Sequence, residues 1–221
     1  MKLYVLGLGP GDPELISVKA SKVLSTIDLL FIPYSLGTRR SLAMEIVNKY
    51  ISPKVEVVQI GFPMEKNVKE EKMIEIARLI CKKMNRDAAF AVLGDPTLYS
   101  TFFRISKYID CAELEIIPGI TSITACASRA LIPLANGDEA IAIITSSRVD
   151  LLKQVKEDFD TIIVLKASEN VKYILEELKD HSLVYARRCF MNDEIILKDK
   201  INEEEDYFTT IIAKRFKGSG R

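Results

Sequence analysis

The sequence has little of what metal-centred and nucleophilic chemistry requires. Its 221 residues include one histidine, His181, in the polar stretch Lys179-Asp-His-Ser182. A multi-histidine metal site is thereby excluded, and the polar neighbours predict a solvated turn for His181. The four cysteines, Cys81, Cys111, Cys126 and Cys189, are scattered without any Cys-x-x-Cys pair. Three of them lie in apolar or helical surroundings and read as buried reduced thiols. No metal site is expected. A Gly-x-Ser-x-Gly elbow and a Walker phosphate loop are both missing, which removes most hydrolase and nucleotide-hydrolysing readings. Net charge is missing too: 31 Lys plus Arg balance 31 Asp plus Glu. A binder of phosphate backbones would normally be basic, so nucleic acid is not an expected partner. No apolar run approaches the roughly 20 residues of a membrane span. The first residues, Met-Lys-Leu-Tyr-Val-Leu-Gly, read as a strand and lack the longer apolar core and cleavage site of a signal peptide. The expected location is the cytoplasm.

What is present is an alternation of short apolar runs with amphipathic stretches, the pattern of an α/β protein. Residues 2–8 form a strand that runs into Gly7-Leu-Gly-Pro-Gly-Asp-Pro-Glu14, and a helix over 15–24 follows, with Ser17 as a nearby cap. This resembles the start of a dinucleotide fold, but the fingerprint fails. Asp12 stands where its last glycine belongs, and Pro10 deletes an amide hydrogen that could face a pyrophosphate. The second strand, 29–33, also lacks a terminal acid to hold a ribose. The loop still reads as a binding rim. A helix near 40–50, a strand at 55–59 and a long helix over 65–84 come next. In that last helix Met73, Ile76, Ile80 and Met84 recur at helical spacing as a core stripe.

The apolar run at 88–93 stops at Gly94-Asp-Pro96, and hydroxyl-bearing residues then open a predicted helix from Leu98 to about Ile109. A buried strand ending in a tight turn puts its last backbone groups at the carboxyl edge of a sheet, where α/β proteins bind ligands. A fifth strand, 114–117, ends in Pro118-Gly-Ile-Thr-Ser122, where Thr121 and Ser122 can cap a helix of small residues over 123–130. Strands are predicted again at 140–144, 161–165, 183–187 and 208–214, with a further one at 192–197 and helices at 148–157 and 169–178. The run at 203–206 reads as a solvated acidic turn and 218–221 as a frayed tail.

Taken together these motifs resemble the tetrapyrrole methylase family, which transfers a methyl group from S-adenosylmethionine. The resemblance rests on Gly7-Leu-Gly-Pro-Gly-Asp-Pro-Glu-Leu15, Leu93-Gly-Asp-Pro96 and Ile117-Pro-Gly-Ile-Thr121, in that order over nearly the whole chain. It implies two α/β domains, 1–118 and 119–221, with a cofactor cleft between them, and a homodimer. The first domain would take the tetrapyrrole side, and the second would complete the cofactor site together with 93–101. The cofactor contacts it implies are Pro10, Leu93, Gly94, Asp95, Leu98, Thr121 and Ser122, with Leu165 and Thr209 placed to within a residue or so. Ala167-Ser168 stand where the family has a glycine, which loosens the placement of Leu165. Within the family, Asp95-Pro-Thr-Leu-Tyr-Ser-Thr101, with Phe31-Ile-Pro-Tyr-Ser35 and Ser41-Leu-Ala43, is similar to the methylases acting at carbon 20 of precorrin-2 or cobalt-precorrin-2. Abundant Ile, Lys and Glu without Trp point to the cobalt-bearing, oxygen-independent branch, with cobalt arriving only inside the substrate.

Such a reaction needs an in-line approach of a ring carbon to an activated methyl, so positioning supplies most of the help. No residue is assigned as catalytic. Asp95 can remove a proton or merely hold the cofactor, and Tyr99 can orient substrate or pack. Arg39, Arg40, Arg104 and Arg129 are candidate partners for the macrocycle's carboxylates. Two other classes stay open at this stage. One is a sibling enzyme acting at another ring carbon, on diphthine or on RNA. The other is a non-catalytic sensor of adenosylmethionine or a corrinoid.

Overall fold

The computed structural model describes residues 1–35, 42–63, 69–199 and 204–215. They form two compact units, Met1–Thr121 and Ser122–Arg221. The predicted helix starts at 40 and 65, Arg39, Arg40, Ser41, part of the acidic run and the tail lie outside the described residues.

Unit 1 is built on five strands: β1 (Lys2–Gly7), β2 (Leu29–Ser35), β3 (Glu56–Phe62), β4 (Ala88–Val92) and β5 (Glu113–Ile117). They pair in the order β3-β2-β4-β1-β5, all parallel. A wholly parallel sheet has both faces covered, and its strands alternate between two cores. Leu3, Val5, Phe90 and Val92 pack with Met73, Ile76, Ala77 and Ile80 of the helix α3 (Glu70–Lys83). On the other face Leu6, Ala89 and Ala91 pack with Ala20 and Leu24 of α1 (Val18–Thr26) and with Ala43, Ile46 and Val47 of α2 (Leu42–Val47). Every residue of β4 is buried, as its unbroken apolar run requires. Ser17 caps α1, its hydroxyl accepting from the Ala20 amide at 3.2 Å.

The helix expected over 98–109 is not there. Two short 3-10 turns, Phe102–Arg104 and Ser106–Tyr108, take its place. Phe102 and Ile105 are both fully buried. Their spacing of three is the repeat of a 3-10 turn, which sends both side chains to one face. Phe102 packs against Phe90 at 5.1 Å between ring centroids.

Unit 2 carries β6 (Ile141–Thr145), β7 (Thr161–Leu165), β8 (His181–Arg187), β9 (Ile195–Lys198) and β10 (Thr209–Arg215) in the order β6-β7-β10-β8-β9. Only β6 and β7 are parallel neighbours; β10 runs antiparallel to both β7 and β8. One face holds Ile162, Val164, Tyr185, Ile211 and Ala213 together with Leu152 of α5 (Leu152–Asp158) and Val171 and Ile174 of α6 (Val171–Glu177). The helix α4 (Ser122–Ala130) touches β8, β9 and β10, yet none of its buried residues joins that core. It therefore covers the opposite face.

Two expectations about rare residues are corrected. The cysteines are not reduced thiols: Cys81 is bonded to Cys111 within unit 1 and Cys126 to Cys189 within unit 2. The chain separations of 30 and 63 residues hide pairs that the folding of each unit brings together. His181 is not in a solvated turn either. It opens β8, is buried, and pairs in register with Arg215 of β10.

Neither ring nitrogen of His181 has a hydrogen-bond partner. Burial, followed by the positive charge of Arg215, holds its pKa below the usual value of 6.5; Asp180 opposes the shift, Lys156 adds to it by less, and Glu157 opposes it least. As the pH falls the unfolded chain takes up this proton first, so stability is lost below about pH 6.5. The midpoint of urea unfolding should drop between about pH 7 and pH 5. In His181→Phe that part of the drop should vanish, and an identical decline in the variant would show that another group is responsible.

Candidate active site

The parallel strands β1, β4 and β5 end side by side, and each runs into a loop that contains glycine. Pairing of β1 with β4 continues past the strands: the Leu8 amide donates to the Val92 carbonyl at 2.9 Å. Gly9 and Gly94 then exchange two hydrogen bonds, at 2.7 and 3.3 Å, in an antiparallel bridge. Gly9 and Gly94 have φ of +79° and +67°, a region that side chains disfavour. The third loop closes on this pair so tightly that side chains have no room. A Cβ added to Gly119 would lie 2.3 Å from the Gly94 carbonyl oxygen, and one added to Gly7 would lie 2.5 Å from the Gly119 nitrogen. At Gly94, in contrast, an added Cβ would meet nothing within 4 Å. The backbone there is open to an approaching group.

Asp95 ties two of the loops together. One carboxylate oxygen accepts from the Thr97 amide at 2.7 Å and from the Thr97 hydroxyl, and the other accepts from the Gly119 amide at 2.9 Å. Partial burial pushes its pKa up, but these three hydrogen bonds outweigh it and hold the group below the ordinary carboxylate value. Asp95 is thus a poor proton acceptor near neutrality and a good clamp. The first loop is fixed separately: Asp12 caps the 3-10 turn Pro13–Leu15 by accepting from the Glu14 amide at 2.9 Å, and the Tyr50 hydroxyl donates to the Pro13 carbonyl at 2.7 Å. Beyond the clamp Tyr99 sits at φ +50° with its side chain about half exposed. A left-handed backbone is rare for a bulky residue and costs about 1–2 kcal/mol.

Of the residues named from sequence, Leu93, Gly94, Asp95, Leu98 and Thr121 fall on these loops of unit 1. Pro10 is beside the Gly9–Gly94 bridge and is buried. Ser122 opens α4 in unit 2. Leu165 ends β7, where its partner in register is Thr210; Thr209 pairs instead with Arg187. Paired residues share a face, so Leu165 and Thr210 lie on the face that α4 covers, and Thr209 points to the other. The Thr209 hydroxyl is buried there without a partner. Two of the candidate arginines are engaged within the protein. Arg129 grips Glu194 with Nε and a terminal nitrogen and lies 4.9 Å from the Phe190 ring centroid. Arg104 donates to the Pro63 carbonyl at 3.3 Å. The sequence reading missed Gly7 and Gly119 as contact points; the Pro-Gly dipeptide at 118–119 was the available signal.

A parallel sheet whose carboxyl-end loops offer bare backbone and one clamped carboxylate defines an α/β protein that receives a small molecule at that edge. Residues 2–204 match the tetrapyrrole (corrin/porphyrin) methylases. The chain belongs to that family. It is 37% identical, over 98% of its length and 97% of the relative's, to a probable cobalt-precorrin-2 C(20)-methyltransferase of Methanocaldococcus jannaschii. It is 34% identical, over 75% of its length and 72% of the relative's, to a cobalt-precorrin-2 C(20)-methyltransferase of Salmonella typhimurium. Its fold is shared by the X-ray structure of a cobalt precorrin-4 methyltransferase, at a TM-score of 0.74 and 23% identity, covering 96% of this chain and 94% of that one. A uroporphyrin-III C-methyltransferase of Thermus thermophilus, complexed with S-adenyl homocysteine, aligns at a TM-score of 0.71 and 20% identity over 97% of each chain.

The glycines should separate by mechanism. Gly119→Ala and Gly7→Ala force a side chain into backbone and should destabilise unit 1 by about 3 kcal/mol or more. Gly94→Ala strains only its own φ and should cost about 1 kcal/mol. Urea unfolding of the three variants measures both, and equal losses would contradict the close packing of the loops.

Proposed function

We propose that this protein methylates carbon 20 of cobalt-precorrin-2 or precorrin-2, with S-adenosylmethionine as donor, in the building of the corrin ring. The observation that carries the reading is the open backbone of Gly94 beside a clamped Asp95, at the edge where β1, β4 and β5 end. Gly94 lacks the side chain that would keep a ligand off the turn, so the residues present fit a bulky cofactor held against backbone. The carbon-20 relatives and the stretch Asp95-Pro-Thr-Leu-Tyr-Ser-Thr101 favour this ring position over others.

The donor brings a methyl on a sulfonium, already activated for transfer. What the chain contributes is placement. In this reading Leu93, Gly94 and Leu98 of the central turn, with Pro10 and Thr121 of the neighbouring loops, would hold the donor. Ser122, Leu165 and a threonine of the pair 209–210 supply further contacts to the donor, with Thr210 favoured because it shares a face with Leu165. Asp95 keeps the central and third turns together and is not the proton acceptor. Tyr99, projecting from a strained backbone, orients the macrocycle. Cobalt, where the substrate is the cobalt-bearing one, arrives inside the ring. The enzyme works as a homodimer in the cytoplasm. Among the described residues no helix is long and apolar enough to cross a membrane.

Incubation with S-adenosylmethionine and cobalt-loaded or metal-free precorrin-2 should yield a product heavier by one methylene unit, with the new methyl at carbon 20 by NMR. Methylation elsewhere, or binding of both ligands without turnover, would replace this reading with a sibling enzyme or a sensor. Asp95→Asn leaves amide donors facing one another and should cost about 1–3 kcal/mol of stability. It should still turn over at saturating donor. Complete loss of turnover with donor affinity intact would make Asp95 the base.

A further inference from the structure

Cys81 lies in the last turn of α3, and Cys111 two residues before β5; Asp110 stands beside the pair. The two sulfurs and a carboxylate oxygen of Asp110 all lie within 4.8 Å of one another, with Cys81 Sγ 3.8 Å from Asp110 Oδ1. Among the described residues this is the one such cluster of potential metal ligands. We propose that Cys81, Cys111 and Asp110 form a redox-gated site for one thiophilic divalent cation of the zinc or cobalt type, closed by the disulfide and opened by its reduction. This site is separate from the loops at the carboxyl edge, and its assignment does not depend on the methylation reading.

The two disulfides differ in the way such gating requires. Cys126 and Cys189 are 1% and 3% exposed, whereas Cys81 and Cys111 are half-buried and Asp110 is exposed. Reduction favours the more accessible disulfide, so Cys81–Cys111 opens before Cys126–Cys189. The Cys81 side of the cluster opens on a surface hollow that Arg78, Lys107 and Tyr108 also line. With the cation bound, two thiolates and a carboxylate carry three negative charges against its two positive ones, and Arg78, which lines the same hollow, offsets part of the excess; Lys107 is paired with Glu70 at 3.1 Å. The carboxyl end of α3, a 14-residue helix, adds partial negative charge where the cation would sit. Two sulfurs and one oxygen fill three corners of a tetrahedron, and the hollow leaves the fourth to water.

The step balances as follows. A small dithiol delivers two electrons to the Cys81–Cys111 bond and is itself oxidised to a cyclic disulfide, leaving two thiols. Each thiol then loses one proton to buffer as its sulfur bonds the cation. Oxidised or metal-loaded, α3 stays tethered to the start of β5; reduced and metal-free, it does not.

The test is a Co²⁺ titration of the full chain, reduced with dithiothreitol and desalted without oxygen. A sulfur-to-cobalt charge-transfer band should rise to saturation at one equivalent and be erased by Zn²⁺. The unreduced protein should show no band. Cys81→Ser should abolish it, Asp110→Asn should weaken binding by at least about tenfold, and the double variant Cys126→Ser/Cys189→Ser should keep it. Should that double variant fail to fold, mass-spectrometric mapping of Cys81 and Cys111 protected from iodoacetamide by Zn²⁺ in the reduced wild type gives the same answer. No band in the reduced protein, a band in the unreduced one, a band that survives Cys81→Ser, unchanged binding by Asp110→Asn, or unprotected cysteines would each overturn the proposal.

Discussion

Backbone meeting backbone, with no side chain between, is the constraint on which the proposed active edge depends. Gly7, Gly94 and Gly119 come from three segments far apart in sequence; a Cβ on Gly7 or on Gly119 would run into the backbone of the other two, while Gly94 meets them through its carbonyl oxygen and leaves its own Cβ side open. Such an approach brings little apolar burial of its own. It is held by what surrounds it: the strand pairing of β1 with β4 and β5, the Gly9–Gly94 bridge, and the Asp95 carboxylate spanning Thr97 and Gly119. A carboxylate with both oxygens engaged serves as a joint, and its lowered pKa is a consequence of that role. The chemistry follows from this. An edge stripped of side chains suits a reaction in which the donor is already activated and alignment is what remains to be provided.

Unit 2 reaches stability differently. Its sheet is mostly antiparallel, and its small-residue helix α4 is fastened to the segment after β8 by several independent means. Cys126 is bonded to Cys189, and Arg129 pairs with Glu194 while stacking near Phe190, whose amide donates to Glu194 at 2.7 Å. Arg188 and Phe190, on either side of Cys189, both have positive φ, at 52° and 63°. A cross-link closing a loop of 63 residues is worth roughly 4 kcal/mol on the chain-entropy view, enough to hold such a strained turn.

Much of this was legible in the sequence because it depends on local pattern. The unbroken apolar run of β4 and the helical stripe of α3 follow from hydrophobic period alone, and the glycine loops stood at the ends of apolar runs. What could not be read depends on long-range geometry. Connectivity of scattered cysteines is not encoded in their spacing. His181 has polar neighbours along the chain, but pairing of β8 with β10 buries it. The stretch after Leu98 has helical composition, yet the Asp95 clamp and the burial of Phe102 and Ile105 wind it more tightly. Thr209 and Thr210 cannot be told apart by sequence, although one residue of register decides which face of the sheet each occupies.

The order of strands in the second sheet also bears on how the chain is made. β10 is the last described strand in sequence, but it is hydrogen-bonded in the middle, between β7 and β8. During synthesis from the amino end, the β6–β7 pair and the β8–β9 pair emerge with no partner to join them, each exposing an unfilled edge. The first sheet has the reverse history, since β1 lies between β4 and β5 and is available from the outset. A nascent chain therefore carries a finished first unit while the second waits, open and prone to associate, for its keystone strand to clear the ribosome.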